Sequence, residues 1–149
     1  MANARTHQVV GVISGLGVTA LCRIREEKNV RLGELLGAGF GGAVGGALPD
    51  LIEPATSSYH RQFAHSGVAA GGIVFTALKG LPALRAKLDA KADELYAQAT
   101  AATHWLGEIL LFLGAFLIDA LAGFVTGVAG GYLSHILLDA TTPRGVPII

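Results

Sequence analysis

The segment "LGELLGAGFGGAVGGALPD", residues 32–50, restricts the fold more than any other part of the chain. Gly37, Gly41 and Gly45 recur at a step of four, so on a helix they form one ridge without side chains. Such a ridge lets a neighbouring helix approach to backbone distance, a mode of packing favoured where helices associate inside a membrane. A helix in water with this many glycines would lose backbone entropy with little packing to offset it. The segment is therefore expected to be a membrane helix packed closely against others.

Three further apolar stretches share this character. Residues 8–22, "QVVGVISGLGVTALC", fall short of the ~20 residues a span usually takes, a deficit that tilt or neighbours can make up. "GVAAGGIVFTALKGL" covers 67–81, and Trp105 to Ala140 is apolar for about two helices' worth, interrupted by Gly114, Asp119, Gly123, Gly127, Gly130 and Gly131. Residues 83–104 differ. Leu84, Leu88, Ala92, Leu95, Ala99 and Ala102 recur at steps of three and four, and Arg85, Lys87, Asp89, Lys91, Asp93 and Glu94 take the other faces, the pattern of an amphipathic helix in contact with water. The expected fold is all-α: a compact bundle of four to five apolar helices, membrane-embedded, plus one amphipathic helix, in a single domain over residues 1–149.

Composition agrees. Apolar residues make up 52% and charged residues 15%, against about 25% charged in soluble domains, and the mean hydropathy is +0.54. Eleven basic residues balance eleven acidic ones, so no nucleic-acid-binding surface is expected. Cys22 is the only cysteine, so an intrachain disulfide and a thiolate zinc site are both excluded; it fits best as a small buried thiol. No small-residue cleavage site closes the stretch after Arg5, and no cleavable signal peptide is expected. Residues 23–31 and 79–91 hold eight of the eleven Lys and Arg, seven if Lys79 is left out, and the positive-inside tendency makes both cytoplasmic. If the first three apolar segments cross, His7 and residues 48–66 then meet on the opposite side.

That meeting matters because "LPDLIEPATSSYHRQFAHS", residues 48–66, gathers Asp50, Glu53, His60, Arg61 and His65 in a chain otherwise poor in charge. Downstream, in "GYLSHILLDATTP", His135 and Asp139 stand at i, i+4 on one helix face, the spacing at which a helix offers two ligands to one metal. Imidazole with carboxylate suits zinc, manganese or iron. Each element has a plain structural explanation: His7 as a surface residue, Asp50 as a helix cap, His135 with Asp139 as a hydrogen-bonded pair. Ionisable groups at the ends of apolar segments are costly unless paired or bound to something, so five or more on one side make a metal site the better reading. His104 with Glu108 fits a polar helix end, and Asp119 fits a turn.

The segments "ALPDLIEPATSSYHRQFAHS" and "GYLSHILLDATTPRGVPI", taken in this order after an N-terminal histidine, resemble the bacterial inner-membrane metal-dependent hydrolases. These are small multi-pass proteins similar at a distance to zinc-dependent phospholipases C. The resemblance implies a location in the bacterial inner membrane and His7, Asp50, His60, His65, His135 and Asp139 as ligands of a divalent metal, zinc first. Many members carry Pro-Asp-x-Asp-His, whereas Pro49-Asp50 is followed here by Leu51, Ile52, Glu53 and Pro54, so Glu53 stands in as ligand or as general base. The implied activity is hydrolysis of a phosphoester, lipid or amphiphilic, with Arg61 binding phosphate or developing negative charge. Ser66 fits a helix cap or a supporting partner of the site, and Thr142 a group that orients Asp139.

Membrane lipids, a phosphorylated small molecule and a second copy of the chain are the partners such a protein would have. Two alternatives use the same cluster without turnover: a membrane protein that binds or moves a metal ion, and a structural subunit in which metal staples residues 48–66 to the last helix. For the ligands to meet, four crossings suffice: residues 105–129 form the fourth, break at Gly130–Gly131, and a short final helix presents His135 and Asp139.

Overall fold

The computed structural model describes residues 4–54 and 64–141, and among them finds five helices and no strand. These are α1 (Ala4–Arg25), α2 (Leu32–Ile52), α3 (Gly67–Lys79), α4 (Leu81–Ala101) and α5 (Trp105–Ala140). α2 lies along α5 as its main partner, α1 packs on both, and α3 and α4 pack on α5 and on each other.

Glycine determines how α1, α2 and α5 meet. A Cβ at Gly37, Gly41 or Gly45 would overlap the carbonyl oxygens of Ala120, Phe124 and Val128, three positions on α5 that also advance by four. The two ridges thus climb in parallel, and α5 answers with Gly123, Gly127 and Gly131 set against the backbone of α2. On its other edge α2 places Gly42 and Gly46 against the carbonyl oxygens of Gly11 and His7, so α1 runs antiparallel to it. The ridge read from the sequence is the seam of the protein.

Because the seam is made of backbone, large apolar side chains have little place inside. Among the described residues the buried apolar side chains are alanines plus Tyr132 and Ile136. Val9, Ile13, Leu21, Phe40, Phe75 and Leu117 are instead all exposed. This is the reverse of a protein folded by water, and suits a surface covered by lipid. Three helices, α1, α2 and α5, are long and apolar enough to cross a membrane.

The structure corrects the sequence reading in four places. α5 runs unbroken through Gly130 and Gly131, because both are packed, against the Ser14 carbonyl and the Gly42 carbonyl, and close helix contact offsets their poor helix propensity. Asp119 is not at a turn but buried in the middle of α5, where Arg31 and Tyr96 hydrogen-bond its two oxygens. α3 has 13 residues and none is buried, so it does not cross alone; it meets α4 at a 45° bend, and the two together return the chain to the far end. On α4 the buried face carries Arg85 and Asp89 with Ala92 and Ala99, while Leu84 is exposed. Periodicity shows which positions share a face. It does not show that the partner of that face is charged.

Candidate metal centre

The N-terminal turn of α1, the last turns of α2 and α5, and the turn before α3 end at one place. α1 contributes His7, α2 Asp50, the turn His65, and the last two turns of α5 His135 and Asp139. Gly46 makes this possible: with any side chain there, α1 could not bring the His7 backbone so near. Pro49, inside α2 and buried, removes one amide donor from the last turn of that helix. Ser66 caps α3, its Oγ accepting from the Ala69 amide at 3.1 Å, which sets the entry of the chain next to His65.

His7 and His135 stack, ring centroids 3.8 Å apart, and His65 meets His135 edge-on at 5.1 Å. His135 Nδ1 lies 2.6 Å from the Gly46 carbonyl oxygen. A carbonyl only accepts, so Nδ1 carries the proton and donates it, and the lone pair of the neutral ring is on Nε2. That nitrogen is fully buried, has no hydrogen-bond partner among the described residues, and faces Asp50 Oδ1 at 3.6 Å and Asp139 Oδ2 at 3.7 Å. His65 Nε2 lies 3.2 Å from Asp50 Oδ1 and 3.7 Å from Asp139 Oδ2, and its Nδ1 lies 3.3 Å from Glu53 Oε2. His7 Nε2 is 3.7 Å from Asp139 Oδ1.

Two triads have donor atoms within 4.8 Å of one another, His7–His135–Asp139 and Asp50–His65–His135. They share His135, whose other nitrogen is committed to Gly46, so both converge on a single imidazole nitrogen. A lone pair set against two carboxylates is repulsive as it stands. A cation placed between this nitrogen and the two carboxylates would turn that repulsion into attraction. The donor set, imidazole nitrogen and carboxylate oxygen, is one that zinc, manganese and iron accept. Asp50 is the open member, its side chain 44% exposed, while those of His65, His135 and Asp139 are at most 1% exposed.

Of the residues singled out in the sequence, His7, Asp50, His65, His135 and Asp139 come together. Glu53 is brought up to the far nitrogen of His65 and belongs to neither triad. His60 and Arg61 lie outside the described residues, as does Thr142. Ser66 is the helix cap expected of it, and His104 stands exposed ahead of α5, in keeping with a polar helix end.

A second polar cluster, away from the first, was not foreseen. Arg23, near the end of α1, binds Glu34 through Nε at 2.7 Å and Asp89 through both terminal nitrogens at 2.6 and 2.7 Å. Arg85 binds Glu34 at 2.8 Å and the Thr126 hydroxyl at 2.9 Å, and reaches Glu26. Lys28 adds a third hydrogen bond to Asp89, at 3.0 Å, so the buried carboxylate is fully matched by charge. The i, i+4 pair Arg85 and Asp89 was visible in the sequence as a signal. Their partners, 66 positions away in the case of Arg23 and Asp89, were not.

The sequence matches the family model of the YdjM inner membrane protein over residues 1–149. No curated protein and no solved structure matches it.

Proposed function

The chain belongs to the YdjM inner membrane protein family, and from that premise we propose that it is a metal-dependent hydrolase of phosphoesters at the surface of the bacterial inner membrane. The observation that carries the reading is the buried Nε2 of His135, its tautomer fixed by Gly46, pointed between two carboxylates with no donor to satisfy it. His7, Asp50, His65, His135 and Asp139 would hold a divalent ion, zinc first and manganese or iron otherwise. The likeness of the two quoted segments to metal-dependent hydrolases supports catalysis over mere binding.

A bound ion supplies an acidified water and polarises a phosphoryl oxygen. The chain's own residues do the rest. Gly46 keeps His135 in the tautomer that presents its lone pair. Glu53 accepts a hydrogen bond from His65 Nδ1 and so leaves Nε2 facing Asp50, the carboxylate–histidine arrangement that fixes ring orientation at metal sites. Asp50, half open, marks where substrate enters, and the buried Asp139 supplies fixed negative charge behind it. In the reaction a water oxygen bonds to phosphorus, the ester P–O bond breaks, and the departing oxygen takes a proton. Carriage of an ion through the membrane fits less well, because Glu34 and Asp119, the acids deeper in the bundle, are held by arginines.

The test is metal content of detergent-purified protein by elemental analysis, with His135→Ala and Asp50→Ala beside wild type. Stoichiometric metal in wild type, lost in both variants, is the expected result, followed by turnover of phosphoesters that the same variants lack. A well-folded wild type that holds no metal, and regains none with zinc or manganese, would overturn the reading. Metal without turnover would leave a staple between the turn at His65 and α5.

A further inference from the structure

α3 touches α4 and α5 but not α2, and the space left between α3 and α2 is an apolar groove of about 810 Å³. That lies within the range of about 300–1,000 Å³ typical of ligand sites. Ile52, Val68, Gly72, Ile73, Leu84 and Val128 are among its walls; among the described residues no charged side chain lines it, and Thr76 and Tyr132 bring the side-chain hydroxyls.

Ile52, in the last turn of α2, directly precedes Glu53, whose carboxylate lies 3.3 Å from His65 Nδ1. Tyr132, on the opposite wall, lies one turn before His135 and donates its hydroxyl to the Ala64 carbonyl, next to His65. One end of the groove therefore lies beside the turn that carries His65 and one helical turn short of His135. It runs along α5 to Val125, roughly 10 Å at the helical rise.

We infer that this groove holds a hydrocarbon chain of a phospholipid whose phosphoester lies at the His/Asp cluster, so that the substrate is a lipid rather than a water-soluble phosphate. The inference rests on the hydrolase reading for the word substrate, but not for the groove. A lipid chain makes no hydrogen bonds, which matches walls that offer almost none. It is also tethered to a phosphate, which matches a groove that starts beside the candidate cation site. A packed protein helix from a second copy would fill the same space without using that junction.

The test separates the two readings. Zinc-supplemented full-length protein in lipid nanodiscs is given phosphatidic acid with a photoactivatable diazirine in one acyl chain, and labelled peptides are mapped by mass. Labelling is expected in 67–81 and in 125–132. Gly72→Phe fills the groove: a Cβ there has nothing within 4 Å, so the backbone accepts the ring, and labelling should fall at least tenfold. Gly71→Phe is the control, equally free of neighbours but not part of the lining, and should leave labelling and turnover unchanged. Label spread evenly over lipid-facing segments such as that of Val9 and Ile13, or indifferent to Gly72→Phe, would overturn the inference. Crosslinks from 67–81 to a second copy of the chain would do the same.

These outcomes do not depend on metal or turnover. A second arm does: kcat/KM for phosphatidic acids of increasing chain length should rise, up to roughly fourfold per methylene buried, and level off when the groove is full. Equal rates for all chain lengths would overturn the lipid assignment while leaving the metal centre standing.

Discussion

At the scale of single residues, the structure asks why charges are buried where hydrocarbon is abundant. Two answers are present. At the candidate metal centre the buried Nε2 of His135 faces two carboxylates, an arrangement that a cation would satisfy. At the far cluster the buried groups already neutralise one another, Arg23 between Glu34 and Asp89, Arg85 between Glu34 and Glu26. The second kind predicts a stability effect. Asp89 accepts from both terminal nitrogens of Arg23 and from Lys28, so Asp89→Asn removes a buried counter-charge and should lower stability by about 3 kcal/mol. Thermal unfolding in detergent measures the loss, and a variant as stable as wild type would deny Asp89 that role. The residues that gather in the candidate site were legible in the sequence because histidine and acid are conspicuous at the ends of apolar segments. The Gly46 carbonyl that sets the His135 tautomer was not, since a backbone acceptor 89 positions away leaves no mark in side-chain spacing.

At the scale of elements, glycine does two opposite things. Gly41 has the Phe124 carbonyl where a Cβ would go, and Gly17 has nothing within 4 Å. One substitution should therefore have opposite signs. Gly41→Ala should cost about 1–3 kcal/mol, because α2 and α5 must part. Gly17→Ala should gain about 1 kcal/mol from lower helix entropy loss. Reversible unfolding in mixed micelles gives both values, and equal signs would mean that the seam is looser than its geometry. The end of α1 offers another check. Glu27 has φ 54°, and the Lys28 amide bonds to the Arg23 carbonyl at 3.0 Å, the six-to-one closure that normally places glycine at this position. Glu27→Gly should stabilise by about 1 kcal/mol, as relief of a left-handed residue. The ridge of α2 was legible because its period is that of a helix. The continuity of α5 was not, because Gly130, Gly131 and Asp119 look like breakers until the surfaces that hold them are known.

At the scale of the whole molecule, the protein is turned outward: small residues, backbone and paired charges within, leucine, valine and phenylalanine without. Together with family membership and three helices fit to cross, that makes it a bacterial inner-membrane protein. Class and membrane character followed from composition and the glycine ridge alone. The path of the chain from Gly67 to Ala101 did not follow, since a bend between two helices is decided by what they rest on. α5 has one consequence beyond packing. Its 36 residues extend roughly 54 Å, against a hydrocarbon thickness of about 30 Å. A tilt of about 40°, the upper end of what spans adopt, still accommodates only about 26 residues, so about ten or more of α5 stand outside the hydrocarbon. Trp105 and His135, roughly 45 Å apart on this one rod, cannot both be immersed. The helix that carries His135 and Asp139 therefore also fixes the depth of the candidate site: any force that slides or tilts α5, a thicker bilayer included, moves that site relative to the headgroups.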